Sequence, residues 1–317
     1  MPGQLLVFAW HNIERTWHYP APPGAGARGF ARQVATLKRM GTIVPLASAL
    51  DTLAGGRPLP PRAIALTFDD GYADNLELAV PVLRRLEVPA TFFLVPGILE
   101  RRVRPWWEVL GWAFGRSGAG TLDWRGQGLP VQGEAGVRSM MRVAEQLKEL
   151  DRAGRDAEVA RLVELLEPAG SPEAVDRLFL DLDGARALAG HGFEVGSHST
   201  HHAILSREPA ADQQHDLAGS RRWLEAELDR PVPLLAYPNG RWADFDDATV
   251  AAARQAGHRH ALTTQAGRNR PHTPPHALRR IVLEPHAGFA ELAARRIRAR
   301  LARELRRAVP PLASEPR

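Results

Sequence analysis

The sequence contains no cysteine among its 317 residues. This excludes disulfide frameworks, zinc–thiolate sites and thiol nucleophiles. No segment approaches the about 20 consecutive apolar residues that are needed to span a bilayer. The chain also starts without a basic leader and reads as a strand almost at once. We therefore expect no signal peptide and no transmembrane segment, and a protein that is cytoplasmic or peripheral to a membrane.

Positive charge is supplied almost entirely by arginine, and the net charge is +5. Arginines alternate with Leu and Ile over Arg295–Arg307, which predicts a basic amphipathic surface helix within a C-terminal segment, 289–317. Contact of this helix with an anionic membrane surface or a partner is the alternative to simple solvation. The charge is not joined to a nucleic-acid-binding motif, so we expect no nucleic-acid partner. The oligomeric state is left open.

Short apolar runs, bounded by Gly, Pro or polar residues, alternate with helical patterns and predict a parallel sheet. The run Ala63–Leu66 is apolar on both faces, as a strand covered on both sides should be. The seven predicted strands are Leu5–Trp10, Ala63–Phe68, Ala90–Val95, Phe193–Gly196, Pro233–Tyr237, Arg259–Thr263 and Arg280–Leu283. The predicted helices include Phe30–Met40, Asn75–Leu86, Asp212–Leu228 and Asp247–Ala256. Seven such units fit a closed or nearly closed barrel, and an open doubly wound sheet is the alternative.

The segment from about residue 101 to 182 interrupts this alternation. It contains a Trp-rich patch, a Gly-rich turn region and helical stretches, and no strand is predicted in it. It is too long for a plain connection, so we interpret it as a mostly helical insertion beside the mouth of the barrel. Packing is favoured over sugar stacking for Trp106 and Trp107.

Two adjacent carboxylates, Asp69 and Asp70, follow the apolar run of the second predicted strand, and Gly71 allows the chain to turn. Ligands bind at the carboxyl ends of strands in parallel α/β folds. Adjacent residues leave a strand end in different directions, so one acid could bind a metal while the other handles a proton. An Asp pair that caps the next helix is the alternative.

Two histidines, His198 and His202, follow the fourth predicted strand with a spacing of four residues. A helical turn would place both imidazoles on one side, at the separation of metal ligands, with His201 pointing elsewhere. They lie at the same end of the sheet as Asp69 and Asp70. Two histidines and one carboxylate suit zinc, and also cobalt, manganese, nickel or iron(II). Such a metal acidifies a water and polarises a carbonyl, as amide hydrolysis requires.

These motifs resemble the polysaccharide deacetylase family, also called the NodB-homology domain or carbohydrate esterase family 4. The family's Thr-Phe-Asp-Asp-Gly motif is matched without change at 67–71, and its His-(Ser/Thr)-x-x-His motif at 198–202. The segment Ala236–Gly240 is close to a variant of the third motif. The matches extend over about residues 5–285, with the insertion outside the common core.

The resemblance implies a distorted seven-stranded (β/α) barrel over residues 1–288. It implies a metal-dependent hydrolase that removes an acyl group, acetyl above all, from the nitrogen of an amino sugar or N-acetylated glycan. Asp69 would be the general base, and Asp70, His198 and His202 would hold one divalent ion, with zinc favoured. The backbone N–H of Asn239 would stabilise the oxyanion of the tetrahedral intermediate.

The sequence departs from the family pattern in two places. The late Leu-x-His motif that often supplies the general acid is not matched with the right spacing near Arg280. The acid is therefore left open among His11, His260 and a metal-bound water. The third motif lacks the arginine that usually steadies the catalytic Asp, and Arg280 is the candidate to replace it.

Four residues are predicted to contact the substrate at the rim: His11, Tyr237, Pro238 and Trp242. His11 ends the first strand, with a structural hydrogen-bonding role as the alternative, and barrel packing is the alternative for Tyr237 and Trp242. Two other functions remain open. One is hydrolysis of a non-sugar amide on the same fold, and the other is a catalytically silent glycan-binding module.

Overall fold

The structure is a computed structural model that describes residues 3–19 and 25–285. The predicted C-terminal helix over 289–317, and with it the predicted membrane contact, lies outside the described residues. None of the described helices is both long and apolar enough to cross a membrane.

A parallel sheet of seven strands forms the centre of the molecule. Nine strands occur in the described residues, of which β4 and β5 form a separate hairpin. They are β1 (Leu5–Trp10), β2 (Ala63–Phe68), β3 (Thr91–Leu94), β4 (Thr121–Trp124), β5 (Gln127–Pro130), β6 (Glu194–Ser197), β7 (Leu234–Ala236), β8 (His260–Leu262) and β9 (Ile281–Val282). The order in the large sheet is β8-β7-β6-β3-β2-β1-β9. All seven predicted strands are present, which confirms the alternation that the sequence indicated.

The two outer strands of the sheet are joined by one segment of chain. Leu278 pairs in parallel with Leu262 of β8, and Ile281 of β9 pairs in parallel with Phe8 of β1. The sheet therefore curls into a (β/α) barrel, as the resemblance implied, rather than an open doubly wound sheet.

Helices surround the sheet and form most of the insertion. They are α1 (Ala25–Met40), α2 (Leu46–Ala54), α3 (Val80–Arg85), α4 (Pro96–Leu99), α5 (Trp106–Arg116), α6 (Gly133–Leu147), α7 (Arg152–Leu166), α8 (Glu173–Asp176), α9 (Leu182–Gly190), α10 (Ala210–Leu228) and α11 (Asp247–Gln255). A π-helical turn, Asn75–Ala79, leads directly into α3, and a 3-10 turn covers Leu205–Arg207. The predicted helix Asn75–Leu86 therefore starts as a π-helical turn.

The prediction that the insertion contains no strand was wrong. Residues 121–130 form an antiparallel hairpin in which Trp124 faces Gln127 across the turn. Arg125 and Gly126 both have positive φ, at 53° and 74°, which is the backbone of a tight two-residue hairpin turn. The signal available in the sequence was the alternation of apolar Leu122 and Trp124 with polar neighbours, and the structure buries both apolar residues.

Side-chain alternation along the strands decides what faces the inside of the barrel. Val7, Ala65 and Phe93 belong to the interior cluster, whereas Phe8, Leu66 and Phe92 pack outward in another hydrophobic cluster. Gly196 leaves room for the interior ring of Phe93, because a Cβ there would lie 2.4 Å from it. Since side chains alternate with a period of two, the row of Ala63, Ala65 and Thr67 continues to Asp69. The row of Glu194 and Gly196 continues in the same way to His198.

Candidate metal centre

The loop after β2 presents the two carboxylates in different directions. The backbone N–H of Asp69 donates to the Trp10 carbonyl at 2.9 Å and extends the ladder with β1. Asp70 and Gly71 then adopt left-handed backbone angles, with φ of 70° and 78°. Asp tolerates this conformation better than most residues and glycine adopts it without strain. The reversal turns Asp70 away from the inward row that Asp69 continues.

The loop after β6 carries both histidines, but it is not helical as the four-residue spacing suggested. Ser199 and His202 have positive φ, at 62° and 52°, and no helix can continue through such residues. Instead, the His202 backbone N–H donates to Ser199 Oγ at 2.9 Å. This compact loop brings the two imidazoles together, while His201 turns outward to Asp216 at 2.7 Å, as expected.

Asp70, His198 and His202 converge on one point. Asp70 Oδ1 lies 3.2 Å from the Nε2 atom of each histidine, and the donor atoms lie within 4.8 Å of one another. All three side chains are buried. Asp70 Oδ1 has no partner with hydrogen-bond geometry in the described residues. A buried carboxylate oxygen of this kind, faced by two imidazole nitrogens, fits a bound divalent cation.

The electrostatics of Asp70 and His202 also fit metal ligation, in which the carboxyl group is ionised and the imidazole is neutral. Burial raises the pKa of Asp70, but the adjacent imidazoles lower it well below its usual range. Burial lowers the pKa of His202 more than Asp70 raises it. For His198, burial is outweighed by Asp69 and Asp70, so its pKa is raised. The ionised carboxylate is the form in which Asp binds a metal.

Asp69 is paired with the fully buried Arg280. Arg280 Nη1 donates to Asp69 Oδ1 at 2.6 Å, and its Nε donates to the Thr263 carbonyl at 3.0 Å. Burial raises the pKa of Asp69, but the Arg280 guanidinium and the nearby His198 outweigh it, so the pKa is lowered. The carboxylate therefore stays ionised although it is buried, and Arg280 occupies the place predicted for it beside the acid.

The loop after β7 positions Asn239 at the same end of the barrel. Asn239 has a positive φ of 55°, and its carbonyl accepts a hydrogen bond from Thr264 Oγ1 at 2.6 Å. Positive φ at non-glycine residues costs about 1–3 kcal/mol each and tends to cluster at functional sites. Asp70, Ser199 and His202 share the feature, so this end of the barrel holds several strained positions.

The four residues predicted to contact substrate lie in different surroundings. His11 is half-buried, and its charge acts on Asp69 and Asp70. Pro238 is buried, whereas Trp242 is 52% exposed in the loop after β7. Tyr237 is fully buried and stacks on Phe245 at 4.4 Å.

Tyr237 follows the outward-facing row of β7, which explains its contacts. It packs in a cluster with Leu235 and residues of α10 and α11, and its hydroxyl donates to the His276 carbonyl at 3.1 Å. These are the contacts of a packing residue, so the structure does not bring Tyr237 to the metal centre.

His260 begins β8 at the opposite end of the barrel. Its Nε2 lies 2.8 Å from Asp51 Oδ1 of α2. The candidate ligands and Asp69 follow the carboxyl ends of their strands, whereas His260 is at an amino end. The sequence-based suggestion that His260 could be the general acid was therefore wrong, because strand direction separates it from the site.

Sequence reasoning missed His18 and Tyr19, which lie near the metal centre in the loop after β1. Burial lowers the pKa of His18 to about 4, and the charge of Asp70 acts on the pKa of both side chains. Their rings meet edge to face at 4.6 Å. The one signal available was their position shortly after the carboxyl end of a strand.

Comparison with known proteins identifies the family. The sequence profile of the family described as Polysaccharide deacetylase matches residues 56–261. The chain belongs to this family. Its members are hydrolases of carbon–nitrogen bonds other than peptide bonds, and the predicted enzyme class is confirmed.

Individual relatives of this deacetylase family member agree with the assignment. YxkH of Bacillus subtilis (strain 168), which is named after the same family, is 21% identical over 286 residues, covering 90% of this chain and 73% of its own. The poly-beta-1,6-N-acetyl-D-glucosamine N-deacetylase of Escherichia coli (strain K12) is 31% identical over 89 residues, 28% of this chain and 13% of that enzyme. The solved Streptococcus pyogenes deacetylase PplD shares the fold, with a TM-score of 0.62 and 16% identity over 93% of this chain and 98% of that one.

Proposed function

We propose that this protein is a metal-dependent deacetylase that removes the acetyl group from the nitrogen of an amino sugar in an N-acetylated glycan. The observation that carries the proposal is the convergence of Asp70, His198 and His202 beside the Arg280-paired carboxylate of Asp69. The geometry therefore offers a cation site and a separate ionised acid at the same end of the barrel.

Asp70, His198 and His202 would hold the ion. Two imidazole nitrogens and one carboxylate oxygen leave coordination positions open, and this donor set favours zinc, with cobalt, manganese, nickel and iron(II) as alternatives. When bound, such an ion supplies polarisation of the amide carbonyl and acidification of a water molecule.

Asp69 is proposed as the general base that accepts a proton from the attacking water. Its inward direction from β2 places it apart from the turn that carries Asp70. Arg280 keeps it ionised and fixes one of its oxygens. General-base catalysis of this kind contributes about 10²–10⁴-fold in rate.

The backbone N–H of Asn239 is proposed to donate to the oxyanion of the tetrahedral intermediate. Thr264 Oγ1 donates to the Asn239 carbonyl, which restrains the backbone on the C-terminal side of this N–H. A preorganised donor of this type contributes about 3 kcal/mol to transition-state stabilisation.

His11 is the retained side-chain candidate for protonating the leaving amine. It directly follows β1 at the same end of the barrel, and its charge acts on both Asp69 and Asp70. Direct donation by a water remains the other route. Trp242, half-exposed on the loop after β7, is proposed to stack on a sugar ring.

The family and the glycan named for the E. coli relative support the proposed substrate class. The test is to incubate the purified chain, with and without Zn²⁺, with oligomers of N-acetylglucosamine in β-1,4 and β-1,6 linkage. Mass spectrometry for loss of one acetyl group, together with free acetate, should show metal-dependent release. A parallel panel of non-sugar acetamides tests hydrolysis of a non-sugar amide. A measurement of glycan binding tests the catalytically silent binding module.

Acetate release from non-sugar amides alone would replace the glycan substrate with a small amide. Glycan binding with metal bound and no release from any amide would make the chain a binding module.

A further inference from the structure

The imidazoles of His198 and His202 are held in different ways. His198 Nδ1 lies 2.7 Å from the carbonyl oxygen of Ala236 in β7. The Nδ1 atom of His202 is also buried, but it has no hydrogen-bond partner in the part of the chain that the structure describes. A metal-ligating histidine normally donates from its second nitrogen, which fixes the tautomer and the ring orientation. The orientation of His202 must be restricted by something else.

An indole ring lies against the imidazole of His202. The ring of Trp107 has its centroid 4.4 Å from that of His202, with an angle of 46° between the planes. Trp107 is buried in α5, the first long helix of the insertion. Rotation of the imidazole about its Cβ–Cγ bond would drive it into the indole, so packing limits the orientations that His202 can adopt.

Trp107 is itself held by a chain of hydrogen bonds. Its Nε1 donates to the Tyr72 hydroxyl at 2.9 Å, and this hydroxyl donates to Glu108 Oε1 at 2.8 Å. The other oxygen of Glu108 accepts from the backbone N–H of His18 at 3.0 Å. The chain thus links the insertion to the loops that follow β1 and β2, and it fixes the indole in the plane that faces His202.

We propose that Trp107 is a positioning residue that holds the His202 imidazole in the orientation required for metal binding. The inference rests on the proposed function, because it assumes that His202 binds a metal ion. It assigns the insertion a role inside the metal centre, in addition to forming one side of the barrel mouth.

The test measures metal affinity directly, with Zn²⁺ and a competing chelator. Trp107→Leu removes the ring, and we expect its zinc affinity to fall by about 10–100-fold, as for other residues that orient a metal ligand. Trp107→Phe keeps an aromatic ring against His202 and should recover most of this loss. The matched control is Trp112→Leu, which removes a buried indole from the same helix and hydrophobic cluster. It should lose similar thermal stability but keep the wild-type zinc affinity.

A spectroscopic measurement separates positioning from general destabilisation. With Co²⁺ in place of zinc, Trp107→Leu should shift the visible absorption bands that report ligand geometry, and Trp112→Leu should not. If Trp107→Leu fails to fold, Tyr72→Phe serves in its place. It removes the hydroxyl that joins Trp107 to Glu108 while keeping the ring that packs on Phe179, and it should weaken zinc binding by up to about tenfold.

Two results overturn the inference. The first is a folded Trp107→Leu variant with wild-type zinc affinity and an unchanged cobalt spectrum. The second applies if Trp107→Leu does not fold, and it is wild-type zinc affinity in Tyr72→Phe. If one of these two results is obtained while the unaltered chain binds zinc and releases acetate, only the positioning role of Trp107 fails. If the unaltered chain binds neither Zn²⁺ nor Co²⁺, the proposed metal-dependent function fails with it.

Discussion

Arg280 donates to Asp69 at 2.6 Å, and both side chains are buried. The two residues are 211 positions apart in sequence. The pair should affect stability as well as the proposed catalysis, because a buried carboxylate that loses its cationic partner destabilises the folded protein.

Replacing Arg280 with Gln should destabilise the protein by about 3–5 kcal/mol, because the Asp69 carboxylate would be left buried without a counter-charge. Deacetylation should also fall. The measurement is the free energy of unfolding in urea, alongside acetate release. The double variant Asp69→Asn/Arg280→Gln should be more stable than Arg280→Gln alone. Strictly additive losses would show that the two residues do not form an energetic pair.

Asp69→Asn should keep the metal content of the wild-type protein while lowering turnover by at least about 10²-fold. The reason is that Asp69 is the proposed base, whereas Asp70 is a proposed metal ligand. Metal analysis of the purified variant and an acetate assay check the two halves separately. Full turnover in Asp69→Asn would remove this residue from the mechanism.

His198→Ala should lose bound metal and, with it, activity that added zinc does not restore. The matched control is His201→Ala, on the same loop, whose imidazole is hydrogen-bonded to Asp216 instead. That variant should retain metal. The measurement is the stoichiometry of zinc after dialysis against a weak chelator. Equal metal content in both variants would contradict the assigned ligand set.

His11→Gln should lower kcat on N-acetylated sugars by about 10²-fold or more if this imidazole protonates the leaving amine. An activated phenyl ester of acetate has a leaving group that needs no proton, so its hydrolysis should be affected much less. His260→Gln, at the other end of the barrel, serves as the control. Equal losses on both substrates would assign His11 to binding or structure.

Glu108 predicts a pH dependence of stability. Burial raises its pKa to about 7, from about 4.5 in an exposed setting. Between these values the folded protein keeps a proton that the unfolded chain releases, so stability falls as the pH rises through this window. The contribution is about 3 kcal/mol.

Glu108→Gln has no proton to lose and should reduce the difference in unfolding free energy between about pH 5 and pH 8 by about 2–3 kcal/mol. If the substituted amide forms a poorer hydrogen bond, the unfolding free energy falls equally at both pH values. This loss therefore cancels in the difference. Glu134→Gln, whose side chain is 96% exposed, should leave the difference unchanged. An unaltered difference in Glu108→Gln would mean that Glu108 is not protonated at neutral pH in the folded protein.

The barrel strands could be predicted from sequence to within one or two residues at each end, because each is a short apolar run bounded by Gly, Pro or polar residues. The two motifs also predicted that Asp70, His198 and His202 come together, because the resemblance implied this set and parallel strands bring their carboxyl ends to one edge. The backbone conformation inside the loops could not be predicted from the sequence. The left-handed residues Ser199 and His202 replace the predicted helical turn, and nothing in their spacing distinguishes the two.

Contacts that depend on tertiary packing were likewise hidden. Trp107 reads as an ordinary core residue, and only the fold reveals which ring it touches. Tyr237 was predicted to face the substrate because it belongs to a motif, whereas strand pleating sends it outward. His18 lies eight residues beyond Trp10, the last residue of β1, in a loop whose course has no periodic signal.

Arg280 lies between β8 and β9, in the last described segment of the barrel, so the Asp69 carboxylate gains its counter-charge from the end of the barrel sequence. A chain that ended before Arg280 would still contain the proposed ligands Asp70, His198 and His202, but the Asp69 carboxylate would lack its ionic partner. The segment that closes the barrel therefore also completes the residue pair that is proposed for proton transfer.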